Sequence, residues 1–245
     1  MSFLYNEILY RPLFNGLVFL YNSVAIQDLG LSIIFLTILI RIALFPLFHK
    51  TAKHQRLTQE LQPHIKKIQE EHKDDKETQT KAILELYGRN KANPLTPILL
   101  LLVQLPILFA IYRVFISGFD VNGFSESSLQ MLYPFVRRPE NISDTLFSLV
   151  NLTKTSYVLI ALAAGAQYLQ GKLSLPKPKP GYSPNEAEKI GRNMIYVMPA
   201  FTAIILFNVP AAIALYWLIT TGFSIIQQII VNRMFSNGSY KTADK

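Results

Sequence analysis

The sequence predicts an all-α integral membrane protein: a five-transmembrane-helix bundle with a cytoplasmic helical hairpin and an N-terminal amphipathic interfacial helix. Three observations predict this class. Half of the 245 residues are hydrophobic and only 16% are charged, whereas soluble domains carry about a quarter charged residues. The hydrophobic residues are concentrated in long runs, as in membrane spans. Basic residues cluster in the segments beside those runs, which is typical of membrane topology.

The composition excludes several kinds of site. The chain has no cysteine, which rules out disulfides, thiolate metal sites and a cysteine nucleophile. Its four histidines (His49, His54, His64 and His72) share one polar segment without the spacing of a zinc site. We therefore expect neither a metal nor another cofactor. The net charge of +8 is better explained by topology than by nucleic-acid binding.

Five apolar runs of 17 to 23 residues are each long enough to cross about 30 Å of hydrocarbon. We place the spans at 31–48, 95–117, 155–171, 193–209 and 211–231. The prolines within them (Pro46, Pro97, Pro106 and Pro199) are expected to kink or bound their helices.

The remaining segments have distinct characters. Residues 2–24 are amphipathic, with Phe3 and Ile8 on the expected apolar face, and should form a helix lying in the membrane interface. Segment 51–90 repeats apolar residues at helical spacing on both sides of a polar turn, which predicts a helical hairpin. The connecting segments are an outer loop (118–153, with one short helix near 142–152), a Pro-rich loop (172–192) and a C-terminal tail (232–245).

Lysine and arginine set the expected orientation. Segments 49–94, 172–192 and 232–245 hold ten, five and three of these residues, against four on the opposite side. Because basic loops stay in the cytoplasm, the N-terminus is expected outside and the C-terminus inside.

Arg41 is the residue on which the functional interpretation depends. It lies near the middle of the first predicted span, where an arginine costs about 2.5–3.5 kcal/mol and usually faces protein or a wet cavity. No Asp or Glu falls within any of the five spans, so the chain offers Arg41 no intramembrane carboxylate.

Other polar residues of the spans indicate where such a cavity would open. They are Thr37, Gln104, Gln167, Gln170, Tyr216, Trp217, Thr220, Ser224, Gln227 and Gln228. We interpret them with Arg41 as the lining of a water-filled groove that is open to the cytoplasm and closed toward the outside. The alternative is that such residues only hydrogen-bond neighbouring helices. Arg113, near the outer end of the second span, is expected to snorkel and is assigned no role.

The order of the motifs resembles the YidC/Oxa1/Alb3 insertases. The matching pieces are FLTILIR at 35–41, FPL at 45–47, NPL at 93–95, QLPI at 104–107, Pro210, LYW at 215–217 and IIQQ at 225–228. The resemblance implies a single insertase domain over 1–245, with Arg41 meeting acidic residues of the substrate and Thr37, Gln104, Gln170 and Trp217 around it. The sequence lacks the large periplasmic domain of Gram-negative relatives and the lipobox cysteine of Gram-positive ones. We expect the protein to lie in the bacterial plasma membrane.

The resemblance also implies the partners. They are nascent membrane proteins, the lipid bilayer, the Sec translocon, the ribosome, and the signal recognition particle or its receptor, without sequence-specific nucleic-acid binding. No Walker A, GxSxG or paired-carboxylate motif is present in the sequence, so no enzyme activity is expected. Two other classes stay open: a small transporter or channel, and a structural scaffold in which carbonyls and glutamines satisfy Arg41.

Overall fold

The computed structural model of the chain describes residues 3–93, 95–117, 119–120, 123–139, 142–175 and 186–236. Within these ranges most residues are helical, in agreement with the predicted all-α class. Four of the predicted segments lie partly outside them: the N-terminal helix at residue 2, the outer loop at 118, 121–122 and 140–141, the Pro-rich loop at 176–185 and the tail at 237–245.

The N-terminal segment is helical but changes phase partway along. Helix α1 (Phe3–Tyr5) runs into a π-helical turn (Asn6–Tyr10) and then into helix α2 (Arg11–Ser23). The buried face consists of Tyr10, Phe14, Leu17, Val18 and Tyr21. Phe3 and Ile8, on the expected apolar face, are exposed on the protein surface, and the interfacial position of this helix stays a prediction. A π turn bonds residues five apart, so the residues before it are rotated relative to those after it.

The first predicted span, 31–48, is not a single straight helix. Helix α3 (Leu29–Ala43) and helix α4 (Phe45–Glu60) meet at Leu44 with a bend of 68°. Pro46 lies in the first turn of α4, where the missing N–H of a proline costs no intrahelical hydrogen bond. The proline therefore begins a second helix. At the other end, the Asp28 carboxylate caps α3 by accepting the Leu31 N–H at 2.8 Å.

Three helices occupy the segment predicted as a hairpin. Helix α4 extends to Glu60 and is followed by α5 (Gln62–Glu71) and α6 (Lys76–Arg89). Their shared apolar cluster contains Leu57, Leu61, Ile65, Leu86 and Ala92. Asp75 caps α6, and hydrogen bonds from the Thr78 side chain and backbone hold the pKa of the Asp75 carboxyl below its usual value.

Long helices make up the rest of the bundle. They are α7 (Thr96–Ser117) and, after the short α8 (Glu126–Leu129), α9 (Tyr157–Ser174), α10 (Glu186–Leu206) and α11 (Ala211–Ser236). Helix α11 packs against α9, α3 and α4, and α10 packs against α9. Phe235, near the end of α11, packs against the apolar cluster of the hairpin.

Length and hydropathy identify fewer membrane spans than the sequence predicts. In the described part of the chain, α11 is the one helix that could cross a bilayer alone, and α3 with α4 passes the same test as a bent pair. A shorter apolar stretch, Leu102–Ile116, lies within α7. The count of five spans stays a prediction.

The outer segment contains β-structure where a helix was expected. Strands β1 (Phe119–Asp120) and β2 (Gly123–Phe124) form one antiparallel pair, and β3 (Thr145–Leu146) and β4 (Val150–Asn151) form another. The expected short helix near 142–152 is wrong. Phe147 and Ser148 both have left-handed φ angles, 51° and 57°, and this conformation makes a turn rather than a helix.

The N-terminal helix is bonded to this outer segment. The Asn15 amide donates to the Met131 carbonyl at 3.0 Å and accepts the Tyr133 N–H at 2.6 Å. Arg113 also contributes, contrary to the expectation that it would snorkel. Its guanidinium donates to the Asn6 side chain and lies 4.5 Å from the centre of the Tyr10 ring. Asn6 and Tyr10 are the first and last residues of the π turn, and this turn therefore contacts α7 through Arg113.

Gly30 marks a contact where no side chain fits. A Cβ added there would come within 2.9 Å of the Leu146 Cα, so the start of α3 and strand β3 would have to separate. In α6, a Cβ at Gly88 would meet nothing within 4 Å.

We expect Gly30→Ala to lower the free energy of unfolding by about 1–3 kcal/mol, the usual cost of overpacking. Gly88→Ala is the matched control and should be neutral or stabilising by up to about 1 kcal/mol, because alanine favours helix. Thermal unfolding in detergent measures both. Equal changes for the two variants would contradict the contact between Gly30 and Leu146.

Candidate functional site

Arg41 lies inside the bundle rather than on its surface. The side chain is only 5% exposed and sits in the last turn of α3. Thr37, one turn earlier on the same face, is also buried. Its hydroxyl donates to the Ile33 carbonyl at 2.6 Å. The Thr37 hydroxyl is therefore satisfied within its own helix.

Phe48 covers the guanidinium. The Arg41 Cζ lies 4.2 Å from the centre of the Phe48 ring, which is a cation–π geometry. The two residues are seven apart, which in a straight helix would separate them by about 10 Å along the axis. The bend of 68° at Leu44 lies between the two residues. The cover over Arg41 is thus a product of the break between α3 and α4.

Helices α7 and α11 form the opposite wall. The Gln104 Nε2 donates to the Tyr216 hydroxyl at 2.8 Å, which joins the two helices beside Arg41. The residues around the site are Thr37, Ile40, Arg41, Phe48, Gln104, Ile107, Tyr216 and Thr220. The space among them, about 190 Å³ including any open solvent, is nowhere wide enough for a water molecule. The site is narrow in this conformation, and the water-filled groove stays a prediction.

The charge of Arg41 has no counterpart here. Among the described residues, none makes an ion pair with Arg41 and none accepts a hydrogen bond from its Nη1. Thr220 lines the same space, beside the Tyr216 hydroxyl. Buried polar atoms are nearly always hydrogen-bonded, and exceptions commonly mark functional sites.

Apolar residues close the site on the side of the N-terminal helix. A second space of about 260 Å³, open solvent included, lies among Leu13, Leu17, Ile33, Leu36, Ile111, Val114 and Phe115, with Thr37 and Tyr216 on its border. Leu17 and Ile33 are almost completely buried. On this side, Thr37 and Tyr216 are the lining residues whose side chains can form hydrogen bonds.

Gln167 and Gln170 of α9 lie outside the space around Arg41. Both side chains are half-buried. The Gln167 Oε1 is buried without a hydrogen-bond partner among the described residues. The Gln170 carbonyl accepts the Ser174 hydroxyl at 2.9 Å.

The remaining predicted residues lie on α11, also outside that space. Trp217 packs against the apolar core, and Ser224 donates to the Thr220 carbonyl at 3.0 Å. Gln228 donates to Asn232 at 3.0 Å. The Nε2 of the buried Gln227 has no acceptor within the ranges that the structure describes. Gln227, like Gln167, is thus a buried amide with unused hydrogen-bonding capacity.

Three residues of the site were not predicted: Ile40, Phe48 and Ile107. The two isoleucines look like any other apolar residue of a span. Phe48 did carry a signal, because it lies two turns after Arg41 on the same helical face. This spacing predicts a contact between Phe48 and Arg41 only if the helix also breaks near Pro46.

Comparison with known proteins identifies the family. Residues 19–238 match the family model described as "60Kd inner membrane protein". A protein of Fusobacterium nucleatum named "Membrane protein insertase YidC" is 34% identical over 235 residues, which cover 94% of this chain and 98% of the relative. Proteins of the same name from Geobacter sulfurreducens and Streptomyces avermitilis are 26% and 30% identical, over 96% and 83% of this chain. The chain spans 39% of the length of the Geobacter relative and 51% of the Streptomyces one.

The cover over Arg41 can be tested with a single cysteine, since the chain has none of its own. We expect a cysteine at Thr37 in the detergent-solubilised protein to react slowly with a small charged thiol reagent. Phe48→Ala should raise that rate about 2- to 30-fold, because a cation–π contact of roughly 0.5–2 kcal/mol no longer favours the closed form. Phe48→Tyr keeps the ring and should leave the rate within about twofold.

A second cysteine separates opening from loss of the fold. Ser32 is fully buried in α3 away from the cover, so Ser32→Cys should stay slow in the Phe48→Ala background. Equal rates at Thr37 with and without the ring would refute the role of Phe48. An increase in the reaction rate of the cysteine at Ser32 as large as that at Thr37 would also refute the role of Phe48.

Proposed function

The chain belongs to the 60Kd inner membrane protein family, and from this premise we propose that it inserts and folds nascent membrane proteins in the bacterial plasma membrane. The relatives named as insertases support this proposal, and one of them has nearly the length of this chain. The proposed mechanism uses no cofactor and no covalent step. It depends on a polar site inside the bundle that lowers the barrier to moving a polar segment through lipid.

One observation carries the mechanism: the buried guanidinium of Arg41 has an Nη1 without a partner among the described residues. An isolated charge inside a bundle is costly, and an opposite charge offsets much of that cost. None of the predicted spans contains Asp or Glu. We infer that the acidic residues of a substrate segment supply the missing counter-charge during insertion.

The polar residues of the spans give the substrate a route. Thr37, Gln104, Tyr216 and Thr220 line the site beside Arg41. Further along we place Gln167, Gln170, Trp217, Ser224, Gln227 and Gln228 on the path from the cytoplasm. The unused amide groups of Gln167 and Gln227 support this path, because they can bond to a passing polypeptide.

Opening of the site requires Phe48 to move. In the closed form the ring occupies the face of the guanidinium that a carboxylate would approach. The break at Leu44 gives α4 a hinge, and rotation there withdraws Phe48 while Arg41 stays on α3. A substrate carboxylate then replaces a cation–π contact by a charge-assisted hydrogen bond, which is the stronger interaction.

The proposed topology has five spans with the N-terminus outside and the C-terminus in the cytoplasm. The distribution of Lys and Arg, eighteen against four, supports it. In this orientation the hairpin of α4, α5 and α6 stands in the cytoplasm. There it is placed to meet the ribosome, the signal recognition particle or its receptor, and the Sec translocon.

A structural role for Arg41 is the competing hypothesis. The stacking of Phe48 on the guanidinium favours it, because that contact contributes to a tight closed bundle. The two hypotheses differ in what they predict for substrates. A structural arginine acts on every substrate alike, whereas a counter-charge site distinguishes acidic from neutral ones.

We expect Arg41→Ala to reduce insertion of a short single-span substrate with an acidic translocated segment at least about fivefold in proteoliposomes. Even at the dielectric of water, a contact pair at about 4 Å is worth about 1 kcal/mol. Insertion of the same substrate with the acidic residues neutralised should change less than twofold. Arg41→Lys should retain most of the activity toward the acidic substrate.

Arg138→Ala is the matched control, since Arg138 is exposed in the outer segment and pairs with Glu126 at 2.6 Å. It should leave insertion of both substrates unchanged. If Arg41→Ala impairs the acidic and neutral substrates equally, the arginine is structural and the counter-charge mechanism is wrong.

A further inference from the structure

Two turns, one between α2 and α3 and the other between β3 and β4, expose large apolar side chains. Ile26 is 87% exposed, Leu149 is 85% exposed and Phe147 is 59% exposed. We call these three residues the outer tip. Transfer of such side chains from water to an apolar medium is favourable. An arrangement of this kind in a small segment usually marks a binding surface.

The two turns form one unit although they are far apart in sequence. The Asp28 carboxylate accepts the Leu31 N–H at 2.8 Å with one oxygen and the Phe147 N–H at 2.6 Å with the other. The turn around Ile26 is thereby joined to the β3–β4 turn. The tight contact between Gly30 and Leu146 holds the same junction.

The backbone of the outer tip is strained to keep these side chains outward. Ile26 and Phe147 have φ angles of 52° and 51°. This region is unfavourable for any residue with a Cβ, and most of all for a β-branched one. Such strain persists only where the surroundings enforce it, and here Asp28 supplies the enforcing bonds.

The outer tip lies at the level where several helices end. Helix α3 begins at Leu29, directly after the Ile26 turn. The carbonyls of Leu152 and Lys154 accept the N–H groups of Ala212 and Ala211, at the start of α11. The β3–β4 turn is therefore next to the outer ends of α3 and α11.

An exposed aromatic pair marks the same level on the other helices. Tyr157 begins α9 and Phe207 follows α10, and their ring centres are 5.7 Å apart. Both rings are exposed. Aromatic side chains at the ends of membrane helices are typical of the interface between lipid and water.

We propose that the outer tip is embedded in the outer leaflet of the bilayer, with phospholipid acyl chains as its occupant. The proposal rests on the topology proposed above. Helices α9 and α10 also expose apolar side chains, among them Val158 and Ile204. The polar groups of the tip are already used, since Asp28 and Asp144 bond within the protein. It therefore suits lipid better than a protein partner that needs polar contacts.

Embedding the tip fixes the depth of Arg41. Leu29 and Arg41 are twelve residues apart in α3, which corresponds to about 18 Å along the helix. A tip anchored at the boundary of headgroups and acyl chains places the guanidinium near the middle of a hydrocarbon core of about 30 Å. The outer tip thus sets the depth of the functional site in the bilayer.

The test uses tryptophan fluorescence, because Trp217 is the single tryptophan of the chain. In a Trp217→Phe background, one tryptophan at a time is introduced into the full chain at Leu149, Ser127 or Leu169, and the protein is reconstituted in phospholipid vesicles. Some vesicles carry lipids brominated near the headgroup and others carry lipids brominated near the chain ends. Aqueous iodide measures exposure to water.

Ser127 and Leu169 are matched controls. Ser127 is exposed next to the ion pair of Glu126 and Arg138, in a polar part of the outer segment. Leu169 is exposed on α9 about 18 Å beyond Tyr157. Its tryptophan should be quenched by chain-end bromines, and that at Ser127 by iodide alone.

We expect the tryptophan at Leu149 to emit at shorter wavelength than that at Ser127 and to be quenched at least twofold more by headgroup-proximal bromines than by chain-end bromines. A tryptophan at Leu149 that behaves like the one at Ser127, while Leu169 reports a lipid environment, overturns the embedded tip and leaves the insertase proposal standing. If Leu169 also reports water, the proposed topology fails and the embedded tip fails with it.

Discussion

Holding a guanidinium inside a helical bundle without a carboxylate is the constraint on which the rest of this structure depends. Arg41 is only 5% exposed, and an aromatic ring takes the place of a counter-ion. A cation–π contact offsets only part of the free energy that burial of the charge costs. The Nη1 of Arg41 is consequently left without a partner among the described residues.

The two ends of the bundle are built differently around that site. On the side proposed to face outward, Asn15, Asp28 and Arg113 bond the N-terminal helix, the outer segment and α7 to one another. On the opposite side, Gln167 and Gln227 are buried with amide groups that nothing in the described part of the chain satisfies. A satisfied network resists opening, whereas an unsatisfied one loses little when it opens.

Periodicity along the helices predicted much of the site but not its closure. Thr37 and Arg41 share a helical face, and Gln104, Tyr216 and Thr220 were expected in the same groove; all five line one space. Phe48 was missed because its position follows from a bend, which helical spacing does not encode. Helical spacing did not predict the π turn in the N-terminal segment, which shifts the phase of the helix. The β3–β4 turn depends on Asp28, more than a hundred residues away in sequence, and local propensity contains no such information.

The position of Phe48 near one end of α4 makes that helix an unequal lever. From the pivot at Leu44, Phe48 is four residues away and Glu60 sixteen, which corresponds to arms of about 6 Å and 24 Å. Withdrawing the ring by about 2 Å therefore sweeps the far end of α4 through about 8 Å. A force applied at the hairpin end of α4 therefore acts on the ring with a fourfold mechanical advantage.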